Sequence, residues 1–346
     1  MTTLKTTLTA TAASLLALAV TASAADVSSV QISGYVVASY QYEKTQNAKS
    51  NDSLFNTGGA NLGNFLSSGD EARLNFSSKY GAVTGNVSLF YVPNLAVSEF
   101  GLLDAYVTWD AGSGWSIQGG KFYGPFGYEA FDSPSMNAIT YGNAVATLIP
   151  SNDNVGVQAN YKDNGWAATV GLLDSLYNTA GNGFAIADKD AELKDTKAID
   201  ASFTYTAIKD VTLFAAVGYQ DKGTVAATDS TKKSIALYDL WGSYNINSSL
   251  TAALEYVYSS NAADTGKSGS QWLGTVTYAL DKQWSAALRV GRDQHVAGSV
   301  NNATQYTIAP AYKVNDHFSV RAEYSHLSAN GQPSANYFGL QGVFTF

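Results

Sequence analysis

The side chains in this chain that could do chemistry are charged residues spaced two apart in otherwise sparsely charged segments. Glu71, Arg73 and Lys79 share one parity with Asn75 and Ser77, while Ala72, Leu74, Phe76 and Tyr80 share the other. Residues two apart lie on one face of a strand, so this segment carries both signs of charge on a single polar face. The same reading puts Asp104, Asp200, Asp239, Glu255, Arg289, Asp293, Arg321 and Glu323 on the polar faces of further segments. Carboxylates opposed to guanidinium groups across a water-filled space create a transverse field that sorts solutes by charge and dipole. The plainer alternative is that these charges hydrate a wide lumen or pair across strands. A slip of one residue would move any of them to the other face.

Catalytic chemistry has less support. The 3 histidines, His295, His317 and His326, are not at metal-ligand spacing and complete no recognisable Ser-His-Asp pattern. A site assembled from separate strands would leave no such signal, so spacing alone does not exclude one. Thr265, Gly266, Lys267 and Ser268 resemble the end of a phosphate loop, but Asn261 stands where its first glycine belongs, and no strand-to-helix context follows. Asp188, Asp190 and Glu192 could hold calcium or bridged lipopolysaccharide, but Lys189 and Lys194 dilute their charge and favour a solvated loop. Nothing calls for a cofactor, and no enzyme is expected.

The elements that must position the charges are strands, because alternation with period two dominates from Gln31 onward and helical periodicity is nearly absent. It recurs at Val83 to Tyr91, Val155 to Tyr161, Trp166 to Leu172, Ile199 to Tyr205, Val211 to Tyr219 and Leu250 to Tyr258. Trp272 to Leu280, Trp284 to Val290 and Phe318 to Tyr324 continue it, with less regular segments between them. The count is about sixteen strands, each near the nine to eleven residues with which a tilted strand crosses a bilayer. Short turns, such as those at Gly81, Asp163-Asn164 and Asp281-Lys282, alternate with long connections. The long ones include Gly124 to Asp153, Ser175 to Thr196 and Gln294 to Asn301. Short turns on one side and long loops on the other is the arrangement of an antiparallel transmembrane barrel, with turns periplasmic and loops extracellular.

Composition agrees. Of 346 residues, 45% are hydrophobic and only 14% charged, below the usual share for soluble domains. The formal charge of −8 leaves no basic face for nucleic acid. Lys5, the apolar run Ala12 to Val20 and Ala22-Ser23-Ala24 read as a cleaved secretory signal over residues 1–24, followed by one barrel domain over 25–346. Trp115, Trp166, Trp272 and Trp284 are expected in an interfacial girdle beside the periplasmic turns. Phe338, Leu340, Phe344 and the terminal Phe346 alternate in the manner of the C-terminal signature that outer-membrane assembly machinery recognises.

Residues 119–134 read GGKFYGPFGYEAFDSP, followed by a loop of apolar and small residues and then Asn154-Val155-Gly156-Val157-Gln158. This stretch resembles the OmpL-like β-barrel porin family, in which a strand ends in such a motif before a long loop. The resemblance implies an outer-membrane porin without defining its substrate. Gly124, Pro125 and Gly127 permit a bend that would send 124–153 into the barrel, and Tyr128, Met136, Ile139 and Leu148 are too apolar for a free tip. An outer lid on neighbouring loops is the alternative. If the loop is infolded, Glu129 and Asp132 against Arg73, Arg289 and Arg321 are the candidate pore constriction. The expected function is passive diffusion of small hydrophilic solutes or ions, with membrane lipid and lipopolysaccharide outside and a homotrimer as one assembly. The rivals are a non-conducting barrel acting through its loops as adhesin, receptor or anchor, and a soluble secreted sandwich.

Overall fold

The computed structural model describes residues 30–46, 51–54, 70–91, 100–129, 132–142, 148, 154–176, 197–223, 233–261, 268–297 and 300–346. The signal segment 1–24 and the acidic triplet at Asp188, Asp190 and Glu192 lie outside them. Seventeen strands form one sheet. β1 (Gln31–Thr45), β2 (Asn51–Leu54), β3 (Glu71–Tyr80), β4 (Val83–Tyr91), β5 (Phe100–Gly112) and β6 (Trp115–Phe122) come first. Then follow β7 (Asn154–Asp163), β8 (Trp166–Leu173), β9 (Lys197–Tyr205), β10 (Val211–Gly223), β11 (Lys233–Asn247) and β12 (Leu250–Ser260). β13 (Gly269–Ala279), β14 (Trp284–Ala297), β15 (Val300–Lys313), β16 (Phe318–Ala329) and β17 (Ala335–Thr345) complete it.

Successive strands pair antiparallel, and the sheet closes on itself through β1. That strand runs against β17 from Tyr35↔Thr345 to Thr45↔Ala335 and against β3 from Gln31↔Ser77 to Val37↔Glu71. The short β2 continues the β3 side of β1, pairing from Tyr40↔Leu54 to Glu43↔Asn51, and leaves a barrel of sixteen long strands. Closure gives each of the long strands a paired neighbour on both sides, as a sheet surrounded by hydrocarbon requires.

Alternation is inverted relative to a soluble protein. Ile32, Val107, Val170, Leu172, Leu240, Leu254, Leu288 and Ile308 point outward and are exposed, whereas Gln41, Asp239, Gln271, Gln305, Ser325 and Gln341 point inward and are buried. An exterior this apolar is stable only against lipid, since leaving apolar surface in water costs about 25 cal/mol per Å². The outward set includes Phe338, Leu340, Phe344 and Phe346.

The short turns fall where the sequence puts them. Gly165 takes the left-handed conformation (φ 84°) in the turn after β7, which a side chain would disfavour. Between β13 and β14, Asp281 accepts the N–H groups of Trp284 and Gln283, each at 2.7 Å. These donors hold its carboxyl below the ordinary carboxylate range. Aromatic pairs rim this end of the barrel, with Trp115–Tyr161, Tyr161–Trp166 and Trp284–Tyr312 at 4.8, 4.7 and 4.8 Å.

Two details differ from the sequence reading. Trp272 lies near the start of β13, 4.3 Å from Tyr256, and so belongs to the rim at the long-connection end. The connection expected over Gln294 to Asn301 is mostly strand. The ladder shifts register between Gln294 and Ala297, with His295 at φ 57°, and then pairs Ala297 with Val300. A bulge of this kind lets pairing outlast the alternation from which strands are read.

Gly34 lies at the closure, where its N–H and C=O both bond Phe346 at 3.0 Å. A Cβ here would stand 2.2 Å from the Arg73 carbonyl oxygen and 2.8 Å from the Phe346 ring. Gly34→Ala is therefore expected to spread the β1–β3 seam and lower the temperature at which the heat-modifiable barrel converts to its unfolded gel mobility. An unchanged transition would show that the seam can relax without loss.

Candidate functional site

Between Phe122, which ends β6, and Asn154, which opens β7, the described residues hold a 3-10 turn at Ser133–Ser135 and an isolated bridge at Thr140 but no strand. Buried N–H groups must find acceptors. The inward side chains of the wall supply them. Gly127 N donates to Asp239 Oδ2 at 2.7 Å and Tyr128 N to Glu255 Oε1 at 2.6 Å. Farther round the barrel, Ile139 N and Thr140 N donate to Glu323 Oε2 at 2.5 and 2.9 Å, and Leu148 N to Gln271 Oε1 at 2.7 Å. Strands β11, β12, β13 and β16 thus hold one connection by its backbone. Hydrogen bonds to charged acceptors contribute about 1.5–3 kcal/mol each.

Apolar contacts complete the seating. Phe126 and Leu148 cluster with Leu173, Leu237 and Val257 of the wall and with Leu176 just after β8, and Ile139 clusters with Leu327 and Tyr337. These inward apolar residues depart from a uniformly polar inner face, and they are dry because the connection covers them. Next to this cluster, Trp241 stacks on Phe214 (4.9 Å, 15°) and meets the edge of Tyr128 (5.3 Å, 70°). Nearer the short turns, the inner face of β6 to β12 carries Gln118, Gln158, Asn160, Thr169, Ser202, Thr204, Ser243 and Thr251, hydroxyls and amides without charge. Thr169 Oγ1 and Gln158 Nε2 both bond Asn160 Oδ1, at 2.9 and 3.2 Å.

The five singled-out charges fall into three places. Arg73 Nη1 bonds both oxygens of Asp132 at 2.6 and 2.7 Å. Its Nη2 reaches Asp104 Oδ2 at 2.5 Å, its Nε reaches Asn75 at 2.7 Å, and its guanidinium lies 5.4 Å from the Tyr123 ring centre. Arg289 Nη1 bonds Glu129 Oε1 at 2.5 Å and the Thr140 carbonyl at 2.6 Å, with Glu323 at 4.0 Å. Glu129 Oε2 in turn accepts Gly142 N at 2.6 Å, which folds the connection back on itself. Arg321 joins neither pair, and among the described residues its hydrogen bond goes to the Ala138 carbonyl, at 3.3 Å.

Sequence reasoning missed the clamps. Asp239, Glu255 and Glu323 read as lumen charges, but their partners include peptide N–H groups of the connection, which leave no mark in a sequence. Gly291 was also unremarkable, although a Cβ there would lie 1.5 Å from the Gly142 carbonyl oxygen. No group of three metal-ligating side chains occurs among the described residues.

A closed sixteen-stranded barrel, apolar outside, with a connection tethered across a polar interior, defines a bacterial outer-membrane β-barrel of the porin class. The family model described as "Putative beta-barrel porin-2, OmpL-like" matches residues 29–346, and the chain belongs to that family. No curated protein matches it significantly. Among solved structures, the outer-membrane channel DcaP of Acinetobacter baumannii is 14% identical with a TM-score of 0.63, over 94% of this chain and 99% of its own. Salmonella typhi OmpF, in complex with daunomycin, is 12% identical at 0.65, over 92% and 97%. The trimer form of Vibrio cholerae OmpT, an outer-membrane protein, is 10% identical at 0.56, over 92% and 100%. At these identities the likeness is one of fold.

Proposed function

We propose that the chain is a passive diffusion porin for small hydrophilic solutes, narrowed where the connection after β6, through its described residues 124–129, 132–142 and 148, lies across the lumen. The observation that carries this reading is the clamped connection. A main chain fixed to carboxylates on β11, β12 and β16 narrows the barrel, and the β6 to β12 wall beneath it is lined by hydroxyls and amides. Glu129, Asp132, Arg73, Arg289 and Arg321 form the charged rim of that narrowing, and their opposed signs orient dipolar solutes. Single-domain organisation over 25–346 after loss of residues 1–24 fits this reading, as do a lipid and lipopolysaccharide surround and assembly through the terminal Phe346. A homotrimer fits the apolar outer wall, and the OmpT relative adopts one.

Swelling of liposomes carrying the refolded protein tests the proposal. Uncharged sugars should enter at rates that fall steeply from mono- to trisaccharide. Liposomes that do not swell with any sugar, while holding a heat-modifiable barrel, would favour the non-conducting receptor or anchor.

A further inference from the structure

Arg321 differs from the other two inward arginines in having no carboxylate upon it. Arg73 lies between Asp104 and Asp132, and Arg289 is paired with Glu129. Arg321 is only 6% exposed, and its single hydrogen bond among the described residues goes to the Ala138 carbonyl. Glu323, two places along β16, is already engaged. Its oxygens accept Ile139 N, Thr140 N, Thr140 Oγ1 and Ser325 Oγ. Glu71, on β3, is bonded by Ser133 Oγ.

The guanidinium faces a cavity of ≈ 300 Å³ between the connection and the wall of β13 to β17. Asn137, Ser285 and Ser319 supply polar groups to it, and the small side chains of Ala309 and Ala311 leave it room. A second cavity of ≈ 200 Å³ shares Met136, Asn137 and Ala287 with the first and reaches Glu129 and Arg289. Lys313 also lines the first cavity, but it lies exposed at the short turn beside Asp316 at 2.6 Å, so Arg321 is the buried cation of this cavity.

We propose that Arg321 binds the carboxylate of a small monoanionic or zwitterionic solute, on a route that follows the β13–β17 wall beneath the connection. The route rests on the porin reading, whereas the site itself does not. A guanidinium presents a planar fork that matches a carboxylate in two parallel hydrogen bonds. One positive charge with Glu323 and Glu71 nearby suits a single negative charge better than a phosphate dianion. The two cavities together suit a solute of a few carbons.

Propionate and propionamide, which match in size and differ in charge, provide the test with full-length protein. Saturation-transfer NMR on the detergent-folded barrel reads binding without requiring transport, and flux into liposomes reads the route. Arg321→Gln should weaken propionate binding about tenfold or more, the loss expected for a charge-assisted bidentate pair. It should leave propionamide unchanged and lower the propionate-to-propionamide flux ratio. Arg321→Lys should restore part of the binding, and heat-modifiability confirms that each variant folds. Undiminished propionate binding in Arg321→Gln, or equal losses for both solutes, would overturn the site. A barrel that binds propionate through Arg321 but passes neither solute would instead refute the porin reading and the route while keeping the site.

Discussion

Gly291→Val is expected to drive the connection off the barrel wall and raise single-channel conductance severalfold. Gly291 is an inward position of β14, laddered on both sides through Leu273 and Gln305. The Gly142 main chain presses against it so closely that even a Cβ would lie 1.5 Å from the carbonyl oxygen and 2.6 Å from the carbonyl carbon. Neither atom belongs to a flexible side-chain end. One of the two backbones must move, and the strand has paired neighbours on both sides while the connection is held by a few hydrogen bonds. Displacement should break the bond from Gly142 N to Glu129 and those from Arg289 to the Thr140 carbonyl and hydroxyl. Limited proteolysis of the folded variant should then cut within 124–153, where the parent protein resists. Unchanged conductance together with an unchanged cleavage pattern would mean that the connection does not restrict the pore.

The second large effect should come from Arg289→Met, which keeps the bulk of the side chain and removes its charge. The Arg289 side chain is 2% exposed, Glu129 16% and Glu323 0%. Losing the cation leaves Glu129 without its ion pair in a site with little water, and breaking one partner of a buried pair typically costs about 3–5 kcal/mol. The ladder of sixteen long strands should survive this, so the cost falls on the seating of the connection. Where the connection stays seated, the charge of the narrowing shifts by one unit toward the negative. A unit charge about 4 Å away is worth ~1 kcal/mol even in bulk water and more at lower effective dielectric. The cation-to-anion permeability ratio should therefore rise at least about fivefold, read as a shift of reversal potential under a salt gradient. High salt should shrink the shift by screening. An unaltered ratio in a conducting variant would place Arg289 away from the ion path.

Much of this architecture is legible in the residues, for a physical reason. A strand with lipid on one side and water or polar side chains on the other must alternate, so Glu71, Arg73 and Asn75 declare their face, as do Arg289 and Arg321. The turns declare themselves through Gly81, Gly165 and Asp281. The ion pairs Arg73–Asp132 and Arg289–Glu129 join residues that composition and parity could nominate but not match, since the pairing depends on how far the connection travels across the lumen. What could not be read has a common cause. The clamps at Asp239, Glu255, Gln271 and Glu323 act on main-chain N–H groups, and Gly291 acts through the absence of a side chain. Leu173, Leu237 and Val257 break the polar-inward rule because a covering segment, distant in sequence, keeps them dry. Trp272 falls at the opposite rim from Trp284 because β13 and β14 run in opposite directions between the two ends of the barrel.

The claim at the centre of this account is that the tethered connection narrows the lumen without sealing it. Single-channel recording of the refolded parent protein in a planar bilayer addresses that claim most directly. Discrete, stable current steps are expected, smaller than those of Gly291→Val under the same salt. Persistent silence from a heat-modifiable barrel, with Gly291→Val equally silent, would contradict it.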